Sequence, residues 1–458
     1  MKTNPLPLVK GSILAPRGFR AAAVFCDIKR LGTGKGSQKG PKRDLAIIAS
    51  DVPAAVAGMF TTNQVCAAPV KVCIDRVRAG VAQAIVVNSG NANACTGPRG
   101  LRDALAMTRR VSGALGLPED HVLVASTGRI GVGLPMSNIR CGIDAAVAAL
   151  DHNLASADHA AESILTSDTR PKQIAVACQL GGKTVHVGGI AKGAGMIQPG
   201  MSANGRRPAA SSLHATMLAF LTTDAAIQPR TLQRCLQEAV ARSFNRITVD
   251  GDMSTNDTVL ILANGLAGNP TLRGTPRRKS GGGNQRSEIK RGSALEIFQA
   301  AVNHVCLELA RMIVRDGEGV HRVVTVRLEG ARTSADAEAA ARAVANSALV
   351  KTSWHGGDPN WGRIIDALGY SDARVEETKV DIGYSQPGDR RILWSLKQGK
   401  PTRATFAALC AAVAPSEFEL RIRLNLGRSA TVLYAADLTE AYVDFNKGDI
   451  QDPASLGG

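Results

Sequence analysis

Thr216 is the residue of this chain with the clearest potential for nucleophilic chemistry. It follows a Gly-, Pro- and Ser-rich stretch that begins after Lys192, and it immediately precedes the apolar run Met217–Leu221. A threonine in such a place can simply cap a secondary-structure element through its side-chain oxygen. If the chain were cleaved before it, one residue would carry both a hydroxyl nucleophile and an amine base. Because such an amine has a reference pKa of about 7.7 to 8.0, it could deprotonate the hydroxyl group near neutral pH.

Two clusters of small polar residues follow apolar runs that have the composition of strands. The run Gln83–Val87 leads into Asn88–Gly97, and Val122–Ala125 leads into a segment that contains Thr127 and Gly128. Strand ends of this kind hold ligands in α/β proteins, although Asn and Gly also form ordinary turns. A Thr-Gly pair at a strand end can present a hydroxyl group and a backbone N–H to one small anion, as an oxyanion hole does.

The elements that must position these residues are read from periodicity and turn signals. The order of strands and helices is similar in the two halves of the chain, which predicts a mixed α/β fold with two lobes of similar size. Predicted helices cover Leu101–Leu115, Cys141–Leu165, Leu232–Phe244, Ser293–Val314 and Ala335–Val350, and predicted hairpins join Ile174–Ala177 to Thr184–Ile190 and Phe418–Leu426 to Ala430–Ala436.

Three acidic residues lie in the segment that follows the predicted helix Leu232–Phe244. Asp250, Asp252 and Asp257 could suggest a divalent cation, but their spacing does not match an EF-hand. We therefore expect them to serve as caps and turn residues.

The net charge of +16 raises the question of a nucleic-acid partner. Two segments, Lys29–Arg43 and Arg273–Arg291, supply twelve of these charges and contain no aromatic residue that could stack on a base. Both are rich in Gly, Ser and Pro, so we expect solvated surface loops, the second of them disordered. The sequence therefore favours neither a nucleic-acid partner nor, since no apolar run reaches about 18 residues, a membrane partner.

The cysteines and histidines indicate no metal site. Nine cysteines include no C-x-x-C pair, and eight histidines include no H-E-x-x-H motif. The N-terminus lacks the apolar region of a signal peptide. We expect reduced thiols, no metal, and a protein of the cytoplasm.

Taken together, the motifs resemble one family, the ornithine acetyltransferases, also described as the bifunctional glutamate N-acetyltransferase and amino-acid acetyltransferase of arginine biosynthesis. The resemblance spans nearly the whole chain in the order that the family shows. Its motifs are Val87–Gly97, Ala125–Met136, Asp168–Lys172, Gly188–Met201, Ala215–Ala225, Ser243–Thr258, Arg315–Gly319, Lys351–Ile364 and Asp437–Asn446.

The resemblance implies a function and a set of roles. Members of the family cleave themselves before a threonine, which then takes acetyl from N-acetylornithine and passes it to glutamate. Carried over to this chain, cleavage falls between Ala215 and Thr216, and Thr216 is the nucleophile. Thr127 and Gly128 would form the oxyanion hole. The residues that match substrate-binding positions are Thr166, Lys192, Thr216, Glu318 and Asn446. Of these, Lys192 would pair with a carboxylate and Glu318 with the ornithine ammonium, although either could be an ordinary surface charge.

The resemblance also implies the fold and the assembly. It predicts a self-processing fold of the N-terminal-nucleophile type, with an α chain of residues 1–215 and a β chain of residues 216–458. Two copies of each chain would form a heterotetramer. No cofactor is required, although acetyl-CoA is possible as a further substrate and would make the enzyme bifunctional.

Three features depart from the family pattern. About 13 extra residues, Ser202–His214, precede the expected cleavage site, and the basic segment Arg273–Arg291 is a second insertion. At the C-terminus the family ends in a Thr or Ser that helps to bind substrate, whereas here Gln451 falls at that position.

Two other functions fit parts of the sequence. An aminopeptidase or amidase of the same fold would transfer the acyl group to water instead of glutamate. An unprocessed, non-catalytic relative would remain a single chain and bind polyanions in a salt-dependent manner.

Overall fold

The computed structural model describes residues 6–33, 42–206, 217–274 and 293–447. Ala215, Thr216 and Gln451 lie outside the described residues, as do most of both insertions. The strands are β1 Phe19–Val24, β2 Leu45–Phe60, β3 Val81–Asn91, β4 Val122–Arg129, β5 Lys172–Leu180, β6 Lys183–Lys192, β7 Leu218–Thr223, β8 Ile247–Thr248, β9 Thr258–Ala263, β10 Val323–Ala331, β11 Asp381–Ser385, β12 Leu393–Lys397, β13 Lys400–Pro401, β14 Glu417–Arg423 and β15 Ser429–Ala436. The α-helices are α1 Ile28–Thr33, α2 Ala68–Val77, α3 Gly97–Leu115, α4 Met136–Ala148, α5 Leu154–Ser163, α6 Pro229–Arg242, α7 Ala294–Arg315, α8 Ser334–Asn346, α9 Ala348–His355, α10 Trp361–Gly369, α11 Phe406–Val413 and α12 Glu440–Phe445.

The first sheet has eight strands in the order β4-β3-β2-β9-β7-β6-β5, with β1 also paired to β2. The β3–β4 and β7–β9 pairs are parallel, and the other pairs are antiparallel. The long strand β2 pairs with β3 along its first half and with β9 along its second, and its register shifts between Ala49 and Ala54. Its two halves therefore belong to different parts of the sheet.

The sheet is bent, because side chains at the ends of β4 and β6 are in contact, and its two parts share one core. Leu218 and Leu260, from the β7–β9 part, lie in the same buried cluster as Ile48 and Val86 from the β2–β3 part. The opposite faces of β7 and β9 contribute to a second core, in which they pack with α6 and α7. The bend brings the ends of β4 and β6 together, although four strands separate these two in the sheet order.

The second sheet has seven strands in the order β13-β12-β11-β14-β10-β15-β8 and its own apolar core. β14 and β15 do not pair with each other, because β10 lies between them. β10 pairs parallel with β14 and antiparallel with β15. The predicted hairpin of Phe418–Leu426 and Ala430–Ala436 is therefore wrong in its pairing, although both segments form strands.

The other predicted elements occur with modest changes in their bounds. The hairpin of β5 and β6 turns through Gly181 and Gly182, which both have positive φ. The Ala-rich segment Cys141–Leu165 falls in two helices. Helix α4 ends at Ala148, and helix α5 begins after its N-cap residue, Asn153.

Helix α7 is, by length and composition, the one helix among the described residues that is apolar enough to cross a membrane. Its apolar side chains include Phe298, Val305 and Ile313, all fully buried in the core that it shares with β7 and β9. A core position therefore accounts for its composition.

Two sheets, each with helices packed on it, confirm the predicted mixed α/β class with two lobes. The predicted chain boundary at residue 215 does not coincide with the division between the sheets. β7 and β9, which follow that boundary, lie in the first sheet between β2 and β6.

Candidate active site

The bend of the first sheet brings a buried lysine against a buried threonine. Lys192 is the last residue of β6, and Thr127 lies near the end of β4. The Nζ atom of Lys192 donates a hydrogen bond to Oγ1 of Thr127 at 3.2 Å. The two residues are only 2% and 1% exposed. A cationic side chain and a hydroxyl group are thus in contact in the protein interior.

Gly128, beside this pair, is required to be glycine by its surroundings. Its φ is +126°, and it pairs across the sheet with Gly90 of β3. A Cβ atom on Gly128 would lie 2.4 Å from the carbonyl carbon of Gly90 and 2.5 Å from the amide nitrogen of Asn91. The backbone of β3 therefore fixes the position of the Thr127–Gly128 segment.

Asn256, which lies just before β9, binds the backbone next to Gly128. The Nδ2 atom of Asn256 donates to the carbonyl oxygen of Ala92 at 2.6 Å and to that of Ser126 at 2.8 Å. Asn256 is buried, and its Oδ1 accepts a hydrogen bond from Thr255. This amide group links the ends of β3 and β4 to the start of β9.

The predicted nucleophile Thr216 and its neighbour Ala215 lie outside the described residues, but the residue that follows them is well fixed. The N–H of Met217 donates to Oδ1 of Asp257, and the N–H of Thr258 donates to the carbonyl oxygen of Met217 at 3.1 Å. In the sheet, Leu218 is the partner of both Lys192 and Thr258. The residues that follow Thr216 therefore lie next to Lys192 in the sheet.

Asp257 is fully buried, and its second oxygen, Oδ2, has no hydrogen-bond partner among the described residues. Burial raises the pKa of this carboxyl group well above its usual value, against the opposing effects of the Met217 N–H and the charge of Lys192. The expected capping or turn role is wrong for Asp257, because it holds a backbone group 40 residues away. Asp250 has the expected turn role, since its Oδ1 accepts the N–H of Asp252 at 3.2 Å, and it also accepts the distant N–H groups of Met196 and Ile197, at 2.6 and 2.8 Å.

A network of buried charges lies behind Lys192. The Nζ atom of Lys172 donates to Oδ1 of Asp168 at 2.6 Å and to Oδ2 of Asp316 at 2.5 Å. Asp168 Oδ1 also accepts the N–H of Gly193 at 2.7 Å, and its Oδ2 accepts the N–H of Thr166 at 3.1 Å. Thr166, which is itself exposed, is thus tied to the residue that follows Lys192.

The charges around Lys192 act in opposite directions. Burial lowers the pKa of Lys192, as does the charge of Lys172, whereas Asp168, Glu318 and Asp257 raise it. Burial alone would raise the pKa of Asp168, but the charges of Lys192 and Lys172 and two hydrogen bonds outweigh it and hold that pKa at about 2. Asp168 therefore stays ionised at neutral pH.

Glu318 and Asn446 form a second polar group next to the Lys192 segment. The Nδ2 atom of Asn446 donates to Oε2 of Glu318 at 3.2 Å. The N–H of Glu318 donates to the carbonyl oxygen of Ala194 at 2.9 Å, and a Cβ atom on Gly195 would lie 2.4 Å from the Glu318 carboxylate. Glu318 is half-buried and Asn446 exposed, so this group lies nearer the surface than Lys192.

The structure thus brings six of the sequence-predicted residues into one region. Thr127 and Lys192 are buried and in contact, and Gly128 lies beside them. Glu318 and Asn446 contact each other next to the Lys192 segment. Thr166 joins the region through Asp168.

Sequence reasoning gave no role to Asp168, Lys172 or Asn256, and it gave Asp257 only a capping or turn role. The only other signal for these residues was their presence in two motifs of the resemblance, Asp168–Lys172 and Ser243–Thr258. Within the described part of the chain, no group of three or more His, Cys, Asp or Glu side chains is arranged to hold a metal ion.

Comparisons with known proteins bear on the family of the chain. Residues 21–448 match the ArgJ family. The arginine biosynthesis bifunctional protein ArgJ of Symbiobacterium thermophilum is 45% identical over 437 residues, which cover 95% of this chain and 98% of that protein. The glutamate N-acetyltransferase of Methanocaldococcus jannaschii is 40% identical over 444 residues, 96% of this chain and 98% of that protein. A crystal structure of ornithine acetyltransferase from Mycobacterium tuberculosis, complexed with ornithine, is 38% identical over 43% of this chain and 100% of its own, with a TM-score of 0.39.

Proposed function

The chain belongs to the ArgJ family, and from this membership we propose that it is a self-processing acetyltransferase of arginine biosynthesis. In this proposal it moves the acetyl group of N2-acetylornithine to glutamate and so forms ornithine and N-acetylglutamate. Relatives that match nearly the whole chain carry the names bifunctional ArgJ and glutamate N-acetyltransferase.

One observation carries the proposal for the site. Lys192 Nζ contacts Thr127 Oγ1 at the point where the chain after Thr216 enters the sheet, with Met217 held by Asp257. A nucleophile attached to Met217 would thus have an oxyanion-binding segment and a cation as neighbours. This is the combination that acyl transfer to and from an amino acid requires.

The proposed transfer proceeds in two halves. The amine of Thr216 takes the proton of its own hydroxyl group, and Oγ1 attacks the acetyl carbonyl carbon of N-acetylornithine. The C–O bond forms, the C–N bond breaks, and the proton goes to the leaving nitrogen of ornithine. The amine of glutamate then attacks the acetyl-threonine ester: the C–N bond forms, the C–O bond breaks, and the Thr216 amine passes a proton from the glutamate nitrogen to Oγ1, so that the threonine hydroxyl group is restored. Thr127 and Gly128 would stabilise the oxyanion of each tetrahedral intermediate, an effect worth about 3 to 4 kcal/mol per donor in other enzymes.

The charges of the site support the assignment of substrate groups. Among the described residues, Thr127 is the only hydrogen-bond partner of the Lys192 side chain, and no carboxylate forms an ion pair with its Nζ atom. Its ammonium group is therefore available to the α-carboxylate of either substrate. Glu318, with Asn446 beside it, would bind the side-chain ammonium of ornithine, and Thr166 would line the same space.

The same proposal covers processing and assembly. Self-cleavage between Ala215 and Thr216 would give an α chain of residues 1–215 and a β chain of residues 216–458, which associate as two copies of each in the cytoplasm. Acetylation of glutamate by acetyl-CoA would be the second activity of a bifunctional enzyme. No cofactor is part of the proposal.

The test is intact-mass analysis of the purified protein beside a Thr216→Ala variant, followed by an acetyl-transfer assay. We expect two chains from the wild type, a single chain from the variant, and transfer from N-acetylornithine to glutamate only in the processed protein. Release of acetate without N-acetylglutamate would identify an amidase. A single chain in both proteins would contradict self-processing.

A further inference from the structure

Three buried side chains behind Lys192 form an ion network that the proposed reaction does not use directly. Lys172 lies between Asp168 and Asp316, with N–O distances of 2.6 and 2.5 Å. The side chains of Lys172, Asp168 and Asp316 are 1%, 0% and 3% exposed. Buried ion pairs are seldom more stabilising than apolar side chains of the same volume, so such a network needs another reason to be present.

The location of Asp168 suggests that reason. Besides Lys172, its carboxylate accepts the N–H of Gly193, which is the residue next to Lys192, at 2.7 Å. It also accepts the N–H of Thr166 at 3.1 Å. One ionised group therefore fixes the backbone next to Lys192 and the backbone of Thr166, two residues that are proposed to contact the substrate.

Asp168 and Lys172 act on the charge of Lys192 with opposite signs. Burial lowers the pKa of Lys192; the negative charge of Asp168 is the largest influence that raises it, and the positive charge of Lys172 lowers it. The other charged groups that face Lys192 are Glu318 and Asp257, and both raise the pKa. From β4, Lys192 meets the uncharged Thr127. Asp316 is not among the charges with the largest effect on the pKa of Lys192.

We propose that Asp168 is a positioning residue of the transfer reaction: through its hydrogen bond to Gly193 and its negative charge, it holds the ammonium group of Lys192 toward the free α-carboxylate of the amino-acid substrates. Lys172 sets the strength of this effect by neutralising part of the charge of Asp168. Asp316 holds Lys172 in place and has a smaller effect on Lys192 than Asp168 has. This inference rests on the proposed function, in which Lys192 binds the substrate carboxylate.

The pH dependence of the KM for N-acetylornithine tests the inference. In the wild type, KM rises on the alkaline side as Lys192 loses its proton, because a neutral amine no longer attracts the carboxylate. Lys192→Gln abolishes this pH dependence and gives a KM that is high throughout. In Asp168→Asn the rise moves to lower pH, and KM near neutrality increases at least tenfold with a smaller change in kcat.

Two further variants make the test specific. Lys172→Gln removes the cation that opposes Asp168, so the rise of KM moves to higher pH, opposite to the effect of Asp168→Asn. Asp316→Asn is the matched control, since it removes a similarly buried carboxylate from the same lysine. The alkaline rise of its KM occurs at the same pH as in the wild type. A general structural role would change kcat and KM together in all three variants and would move no pH profile.

The outcomes separate the inference from the function on which it rests. A KM profile of Asp168→Asn that coincides with that of the wild type overturns the inference alone, provided that Lys192→Gln has lost the profile. A Lys192→Gln enzyme with wild-type KM at every pH overturns both. Melting temperatures are measured for each variant. If Asp168→Asn does not fold, the direction of the shift in Lys172→Gln decides, because a shift to lower pH, or none, contradicts the proposal.

Discussion

Substitution of Gly128 by alanine perturbs the proposed oxyanion-binding segment more directly than any other single change. Gly128 has a φ of +126°, a region that side chains other than that of glycine rarely adopt. The new Cβ atom would lie 2.4 Å from the carbonyl carbon of Gly90 and 2.5 Å from the amide nitrogen of Asn91. Carbon atoms in contact are separated by about 3.5 Å. The β3 and β4 backbones must therefore separate by about 1 Å at this point.

The magnitude of the effect follows from that displacement. The unfavourable φ costs on the order of 1 to 3 kcal/mol of stability. A displacement of about 1 Å at groups that stabilise a transition state costs roughly 100-fold in rate. We therefore expect Gly128→Ala to lower kcat for acetyl transfer at least about 100-fold and to slow self-cleavage by a similar factor. KM should change less, because Lys192 remains in place.

Gly131→Ala provides the matched control. Gly131 lies three residues further along the same segment and also has a positive φ, of +83°, but a Cβ atom there would meet no atom within 4 Å. This variant therefore shares the backbone strain without the collision. We expect a small fall in melting temperature and nearly wild-type transfer and processing. If Gly128→Ala and Gly131→Ala agree within a factor of three in kcat and in processing, the reasoning about the Gly90–Gly128 contact is refuted.

Two buried carboxyl groups give further expectations. Burial acts to raise the pKa of Asp168, but Lys192 and Lys172 hold it at about 2, below the reference value of 3.8. The resulting stabilisation, about 2 kcal/mol, is complete above roughly pH 5 and is lost as the pH falls from about 4 to 2. Urea titrations of the wild type and of Asp168→Asn over this range should differ by that amount, and parallel curves would contradict it. Asp257→Ala leaves the Met217 N–H buried without an acceptor and should cost about 1 to 3 kcal/mol of unfolding free energy, whereas Asp257→Asn retains an acceptor oxygen. Because burial raises the pKa of Asp257, wild-type stability should fall as the pH rises from the usual carboxyl value through the raised one. Asp257→Asn should lack this fall, and equal melting temperatures of the two Asp257 variants would contradict the role of the hydrogen bond.

Elements with a strong local signal could be predicted from the sequence. Helix α7 begins where Ser293 accepts the N–H of Glu296, within one residue of the predicted start. The β5–β6 hairpin has a two-residue turn of Gly181 and Gly182 with φ of +57° and +77°. Two consecutive glycines between apolar runs favour this turn, because both central residues need positive φ.

The β14–β15 pairing could not be predicted, because its competitor lies far away in sequence. The segment between the two strands also contains a glycine, Gly427, and reads locally as a hairpin turn. In the structure the N–H groups of Leu426 and Gly427 both donate to the carbonyl oxygen of Gly330, at 2.7 and 2.9 Å, so the connection passes around the end of β10. Nothing in the local sequence decides between pairing with a neighbouring segment and pairing with a strand about 90 residues earlier.

The site shows the same division between local and long-range information. Thr127 and Gly128 could be identified because a strand-like run precedes them, whereas Lys192 was assigned only through the family resemblance. The partnership of Lys172 with Asp316 spans 144 positions in the sequence. Polar residues such as Asp168 and Asp257 carry no periodic signal, so only the folded chain shows that they are buried and what they hold.

The sheet topology also bears on why the two proposed chains would remain together after cleavage. Along the first sheet, β4, β3 and β2 precede residue 215, β9 and β7 follow it, and β6 and β5 precede it again. The strands of the proposed β chain thus lie between two groups of strands of the proposed α chain. Six residue pairs join β9 to β2 and six join β7 to β6. Neither chain can form the sheet alone, since removing β7 and β9 would expose two strand edges and the core between them. Cleavage between Ala215 and Thr216 would therefore free the nucleophile without separating the chains. The hydrogen bonds of the sheet, and not the cleaved peptide bond, hold β7 in place.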